Sequence, residues 1–327
     1  MSNPASSFEP YRRRLLGLAY RMLGSMADAE DAVQETYLRW HKADRDRVSD
    51  PRAFLMTTTT RICLDMLDSA RARREEYVGP WLPEPVLDTA ALAPDSRTEL
   101  AEDLSIALLL TLDRLSPLER AAFLLHDVFD FSFSEVAAAL DRSDAACRQL
   151  AARARAHVRA VRPRGTAAPS RSDQIDAKHA QLMSAFLAAT RSGDLAALTR
   201  LLASDVRVVS DGGGKVPAAL TVLDGADQVA RFVVEAARKR AGSWWREEFR
   251  VRFATVNGLP GVIVDSPAGP VQTAAFDIDG DVIRALYVVR NPDKLRHLAV
   301  TPAPAASAPT PAPALAPHQT HEKGDAE

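Results

Sequence analysis

Residues 115–161 read LSPLERAAFLLHDVFDFSFSEVAAALDRSDAACRQLAARARAHVRAV, and the punctuation of this stretch decides the architecture of the middle of the chain. Ser116 stands where an N-cap is needed, Pro117 at the first helical position and Glu119 at the third, which predicts a helix from Pro117 to about Phe129. After Asp130-Phe131-Ser132, Ser134 opens a short helix with Val136, Ala137 and Leu140 on its inner face. Asp141-Arg142-Ser143 then turns the chain into a longer helix from Asp144 to about Val161. A short helix, a tight turn and a long basic helix predict a helix-turn-helix, and Ala137, Ala138, Ala139, Ala145 and Ala146 let the two helices cross closely. In such a motif the start of the second helix enters the major groove. Arg148 and Gln149 suit guanine and adenine edges there, and Arg153 and Arg155 suit phosphate.

Charge along the rest of the chain supports this reading only when counted by segment. The 327 residues carry a formal net charge of -2, which taken alone argues against nucleic acid, because phosphate contacts need Lys and Arg. Yet Arg142, Arg148, Arg153, Arg155, Arg159, Arg162 and Arg164 face only Asp141 and Asp144, while Asp28, Glu30, Asp31 and Glu35 crowd an earlier helix. Near neutrality is a sum of opposed patches. With 46% hydrophobic and 26% charged residues, the composition excludes wholesale disorder and disulfide scaffolds. Cys63 and Cys147 lie far apart, so no CxxC metal or redox centre is expected, and neither a metal nor a cofactor is called for. The start lacks a basic-then-apolar leader and no stretch approaches the roughly 18 apolar residues of a membrane span, so a cytoplasmic chain without membrane contact is expected.

Composition shifts divide the chain into a helical block at 1–78, a linker at 79–96 carrying Pro80, Pro83, Pro85 and Pro94, and a second helical block at 97–163. A third block at 173–298 begins with two helices and changes to strand alternation, as in Phe249-Arg250-Val251-Arg252-Phe253, which marks an α+β domain. The Pro/Ala-rich end, 299–327, has few large apolar residues and is expected to be disordered.

The run from Asp28-Ala29-Glu30-Asp31 through Gln34-Glu35 to Leu38-Arg39-Trp40, followed by Asp50-Pro51-Arg52-Ala53-Phe54-Leu55 and a helix into Arg71-Ala72-Arg73-Arg74, resembles region 2 of the sigma-70 family, of the extracytoplasmic-function type. The helix-turn-helix resembles region 4 of the same proteins. The resemblance implies two all-α domains in a multidomain, dissociable transcription factor. The acidic helix with Asp31, Gln34, Glu35, Leu38 and Trp40 would dock on the β′ clamp helices of core RNA polymerase, and region 4 on the β flap. The helix from about Pro51 to Arg74 would open and read the promoter's minus-ten element, with Thr60, Arg61, Arg71, Arg73 and Arg74 on the DNA. Arg148, Gln149, Arg153 and Arg155 would serve the minus-thirty-five element. Many family members carry Asn near Arg61, so base identity does not transfer. The hydroxyls of Thr57-Thr58-Thr59-Thr60 serve either DNA or a packed helix turn.

The third block resembles the SnoaL-like, nuclear-transport-factor-like fold, a curved antiparallel sheet wrapped on helices into a cone whose mouth can hold a small ligand. A subgroup of the family carries this domain at its C-terminus together with three motifs. They stand here as Trp81-Leu82-Pro83-Glu84-Pro85, Asp211-Gly212-Gly213-Gly214-Lys215 and Asn291-Pro292-Asp293-Lys294-Leu295. The expectation is that Trp81–Pro85 packs near the glycine turn and Asn291–Leu295, an interdomain regulatory contact that fixes the distance between the two DNA-binding blocks. Two rivals belong to other classes. SnoaL-like cyclases and isomerases use Asp/His pairs, but no histidine lies between Asp205 and Leu295, which leaves only Asp265, Asp277 and Asp279, so a non-enzyme is expected. A small-molecule-sensing domain fused to a polymerase-independent DNA-binding module would lack the first block.

Overall fold

The computed structural model describes residues 4–75, 77–87, 92, 104–161, 177–240 and 249–300, with backbone alone at 69–75, 161, 240 and 299–300. The Pro/Ala-rich segment from 301 onward and part of the 79–96 linker lie outside them. Three helices come first: α1 (Pro4–Leu23), α2 (Met26–Lys42) and α3 (Pro51–Glu75). Among the described residues four more follow the linker: α4 (Ile106–Asp113), α5 (Pro117–Phe123), α6 (Phe133–Leu140) and α7 (Asp144–Val161). Among the described residues no helix is long and apolar enough to cross a membrane.

The start signals of α5 act as read. Ser116 and Glu119 form a reciprocal capping box with Pro117 in the first turn. The helix differs from expectation beyond Phe123, where it widens into a π-helical turn, Leu124–Val128, that keeps Leu124, Leu125 and Val128 all facing the core. The next helix starts earlier than Ser134, because Ser132 and Glu135 form a second capping box. Asp141, at φ 53°, ends α6 in the left-handed region and turns the chain into α7.

The two helical blocks do not stand apart. Leu15, Leu18, Met22, Val33, Leu55 and Cys63 of the first share one buried cluster with Leu112, Phe123, Phe131, Val136, Leu150 and Val158 of the second. Arg120 of α5, almost fully buried, ties them further by donating to the Met22 carbonyl and pairing with Asp113 at 3.2 Å.

The third block runs α8 (Ala177–Ser192), α9 (Leu195–Leu201), β1 (Leu202–Asp211), β2 (Leu223–Asp224), α10 (Ala226–Arg240), β3 (Arg250–Val256), β4 (Leu259–Ser266), β5 (Gly269–Asp279), β6 (Val282–Val289) and α11 (Pro292–Leu295). The six strands form one sheet in the order β2-β1-β6-β5-β4-β3. The expectation of an antiparallel sheet is corrected at one ladder: β1 runs parallel to β6, a pairing made across α10 and four intervening strands. Period-two alternation gives the sheet two apolar faces. Val208, Val262, Phe276 and Leu286 pack with Met183, Phe186, Val229 and Val234 of the helices. Ala275, Ala285, Tyr287 and Val289 point the other way and receive Leu82 from the linker, Ile106 from α4 and Leu295 from α11. The chain is therefore two helical units followed by a mixed α/β unit, as its sequence pattern indicates, with the linker packed onto the outer face of the sheet.

Candidate nucleic-acid interface and linker clamp

On α7, Leu150, Ala151, Ala154 and Val158 are buried while Arg148 and Gln149 face solvent. Arg148 lies 4.9 Å above the Phe133 ring and 4.0 Å from Asp144, so its guanidinium is held at the exposed start of the helix. Arg153 and Arg155 are engaged differently, each in a 2.6 Å ion pair, with Glu119 and Asp127 respectively. The Arg153 contact holds the Glu119 carboxyl below the usual carboxylate range.

The threonine run of α3 resolves in favour of helix packing. Thr60 is fully buried and its hydroxyl donates to the Met56 carbonyl at 2.8 Å, which corrects its assignment to DNA. Thr58 and Thr59 bond Phe54 and Leu55 in the same i−4 manner, and Thr59 also meets Thr36 of α2 at 3.0 Å. Arg61 does project from α3, but onto α6. Its guanidinium donates to the carbonyls of Ala138 and Ala139, both at 3.0 Å, at the negative end of that helix. The side chains of Arg71, Arg73 and Arg74 lie outside the described residues.

On α2, Asp31, Gln34 and Leu38 are exposed, Leu38 by 45%, and Glu35 is partly so, paired with Arg39 at 2.9 Å. Trp40 is corrected. Only 2% exposed, it packs against Phe54 and donates its indole N–H to Ser7 at 3.1 Å, so it builds the core and not a docking surface.

The three motifs meet at one place. Asp211 is fully buried; one carboxylate oxygen accepts the Tyr77 hydroxyl at 2.5 Å, and the other accepts the Leu82 amide at 2.8 Å and Lys294 Nζ at 2.7 Å. Burial, then the Asp211 carboxylate, pushes the Tyr77 hydroxyl well above the usual tyrosine range, so it remains a donor. Lys294 also donates to the Leu82 carbonyl and lies 4.3 Å from the Trp81 ring centre and 5.0 Å from that of Tyr77. Asn291 caps α11 and donates to Tyr77 at 2.9 Å. Gly213, at φ 58°, has to be glycine here: a Cβ would stand 2.3 Å from the Asn291 amide. Lys215 pairs with Asp293 at the exposed rim, which holds the Asp293 carboxyl below its usual range. Leu82, Pro83, Glu84 and Pro85 are buried as the linker passes through, while Pro292 sits in the first turn of α11 and Leu295 packs beneath it. Gly212 and Gly214 complete the turn, Gly214 against Val78.

Past the clamp, Glu84 turns to the first block. Its carboxylate accepts the Met26 amide at 2.7 Å at the start of α2, and its backbone bonds Gly24 and Tyr20. Gly24, at φ 70°, leaves room for the Trp81 indole, which a Cβ would meet at 2.4 Å. The sequence reading missed Tyr20, Gly24, Tyr77, Asn257 and His297. Asn257 accepts from the Val86 amide at 3.2 Å and donates to the Tyr20 hydroxyl at 2.8 Å, and His297 meets the Pro85 carbonyl at 2.7 Å. Asn257-Gly258 is a hairpin signal, but nothing local reveals that the turn is buried against a linker. Among the described residues no group of three His, Cys, Asp or Glu is gathered as a metal site.

Comparison with known proteins now adds identity to geometry. The family model for sigma-70 region 2 matches residues 8–73, and that for sigma-70 region 4 matches residues 105–158. The chain is 41% identical over 299 residues to the ECF RNA polymerase sigma factor SigJ of Mycobacterium tuberculosis, covering 88% of this chain and 92% of that one. It is 30% identical to the probable ECF RNA polymerase sigma factor SigI of the same organism, over 90% and 95% of the two chains. The crystal structure of M. tuberculosis SigJ superposes with a TM-score of 0.65 at 36% identity, covering 89% of this chain and 97% of that one. Both regions in order, with similarity running on through the third block, show that this chain belongs to the extracytoplasmic-function RNA polymerase sigma factors of the sigma-70 family.

Proposed function

We propose that this sigma factor, acting in the cytoplasm, docks on core RNA polymerase through the exposed face of α2, reads the minus-ten element with α3 and the minus-thirty-five element with Arg148 and Gln149, and is held closed by its third domain. The carrying observation is the engagement of Arg61: its guanidinium is spent on the end of α6, so α3 is covered by the unit that carries the other reading helix. The clamp on Trp81–Pro85 fixes the linker that joins the two, and so favours this arrangement. Between α1 and α2, a groove lined by Arg12, Leu16, Glu30, Val33, Gln34 and Tyr37 lies beside exposed Leu38, giving a mixed apolar and charged surface suited to a partner helix.

Reconstituted transcription with core polymerase tests this reading, comparing the full chain with one ending at residue 163. The shorter chain is expected to bind core polymerase and to change promoter output severalfold. Equal output from the two, or an unchanged output in Trp81→Ala, overturns the regulatory role of the third domain. Base reading has its own signature. Arg148→Ala is expected to relax preference at one base pair by about 1–3 kcal/mol, while leaving other promoter positions unaffected, as scored on a panel of single-base promoter variants.

The third domain works in this proposal by contact and not by turnover. Asp277, whose carboxyl burial pushes above the usual range, projects from β5 beside Tyr287, on the face opposite the interior lined by Gln272, Ala274 and Phe276. Asp265 is paired with Arg252 at 2.7 Å and Asp279 with Arg284 at 2.8 Å.

A further inference from the structure

Between the inner face of the sheet and helices α8 and α10 lies a cavity of about 110 Å³ that neither promoter reading nor the linker clamp uses. Its walls are mainly apolar. Phe186, Phe232 and Phe276 contribute rings, with Phe186 edge-on to Phe276 at 5.5 Å. Two polar side chains, each more than nine-tenths buried, line it with an unpaired oxygen: Gln272, whose Oε1 accepts nothing, and Thr190, whose hydroxyl neither donates nor accepts. Buried polar atoms are costly to leave unmade, and native interiors rarely do so. Two in one cavity, on a strand and a facing helix, present hydrogen-bonding groups to the same apolar space. Among the described residues, those lining it include no Asp, Glu, His, Lys or Arg. A charged guest would therefore be buried without a counter-charge.

We propose that the third domain binds a small, neutral, ring-sized molecule carrying a hydroxyl. The ring fills the apolar space, whose volume is of the same order as the cavity of about 150 Å³ that admits benzene. The hydroxyl donates to Gln272 Oε1 or exchanges hydrogen bonds with Thr190, which turns an orphaned acceptor into a satisfied one. This inference stands independently of the closed-state reading, because it concerns the cavity alone and is read by binding.

The test uses the full-length protein and three probes of one shape, followed through the amide resonances of Thr190, Gln272 and Ala274: phenol, toluene and benzoate at neutral pH. Phenol is expected to shift these resonances saturably, toluene to bind about tenfold more weakly, and benzoate at least a hundredfold more weakly. Gln272→Leu should abolish most of the phenol-over-toluene preference. If that variant unfolds, Thr190→Val serves instead, with a loss of preference of at least threefold expected. The proposal is overturned if phenol shifts none of the three, if benzoate saturates as readily as phenol, or if the folded variant keeps the parent's phenol-to-toluene ratio.

Discussion

Asp211→Ala is expected to destabilise the docked linker by about 3–5 kcal/mol, because it removes the carboxylate that neutralises the buried Lys294 ammonium. The same substitution removes the acceptor of the Leu82 amide and of the Tyr77 hydroxyl. Both effects act on the segment that the third domain grips, so hydrogen exchange at the Leu82 amide should accelerate far more than exchange in α1 or α7. Asp211→Asn, which retains an acceptor oxygen but not the charge, should fall between the parent and Asp211→Ala. A double-mutant cycle separates lost neutralisation from simple loss of contacts: Asp211→Ala combined with Lys294→Met should recover much of the loss, since a pair replaced by apolar groups leaves no buried charge. Strictly additive losses, or a single-variant cost below 1 kcal/mol in chemical denaturation, would show that the clamp is held by the apolar contacts of Leu82 and Leu295 and not by the ion pair.

The clamp shows where sequence reading succeeds and where it stops. Ser116, Pro117 and Glu119 act locally, and a capping box is legible because its partners are three residues apart. The meeting of the linker, the glycine turn and Asn291–Leu295 was carried by family resemblance and not by periodicity, since the bonded pairs are separated by 129 and 83 residues. Trp40 and Thr60 were misassigned for the converse reason. Each sits on a helix whose exposed face carries functional residue types, and only the packing of α1 and α2 against α3 decides which face is turned inward. Tyr77 was overlooked because a lone tyrosine before a Pro-rich stretch has no sequence signature, although it stacks against Lys294 and bonds both Asp211 and Asn291.

One linker residue joins the clamp to the polymerase-facing surface. Glu84 places a carboxylate at the positive end of α2, where it accepts the Met26 amide, and Ser25 caps the same helix through the Asp28 amide at 3.1 Å. A linker displaced from the third domain would withdraw that carboxylate from α2. The proposed closing device thus touches both the spacing of the reading helices and the helix that carries Asp31, Gln34 and Leu38.

Arg52→Ala is expected to open the closed arrangement and raise transcription from the full-length protein. Arg52 leaves α3 to donate to the Phe129 carbonyl at 2.6 Å, with its guanidinium 4.8 Å over the Phe131 ring, so one side chain spans the first and second helical blocks. A charge-assisted hydrogen bond plus a cation–π contact at a half-buried site amounts to about 2 kcal/mol, or about thirtyfold in the opening equilibrium. Arg52→Lys keeps the charge but not the planar fork, and should open the pair partially. The readout is the distance between spin labels introduced at positions 68 and 142. The native thiols do not compete, since Cys63 and Cys147 are buried and burial pushes both thiols upward, away from the reactive thiolate. A longer label distance together with higher promoter output is the expected result. An unchanged distance, or a longer distance with no gain in output, would mean that the contact between α3 and the second block is packing alone, and that the Arg61 engagement does not restrain promoter binding.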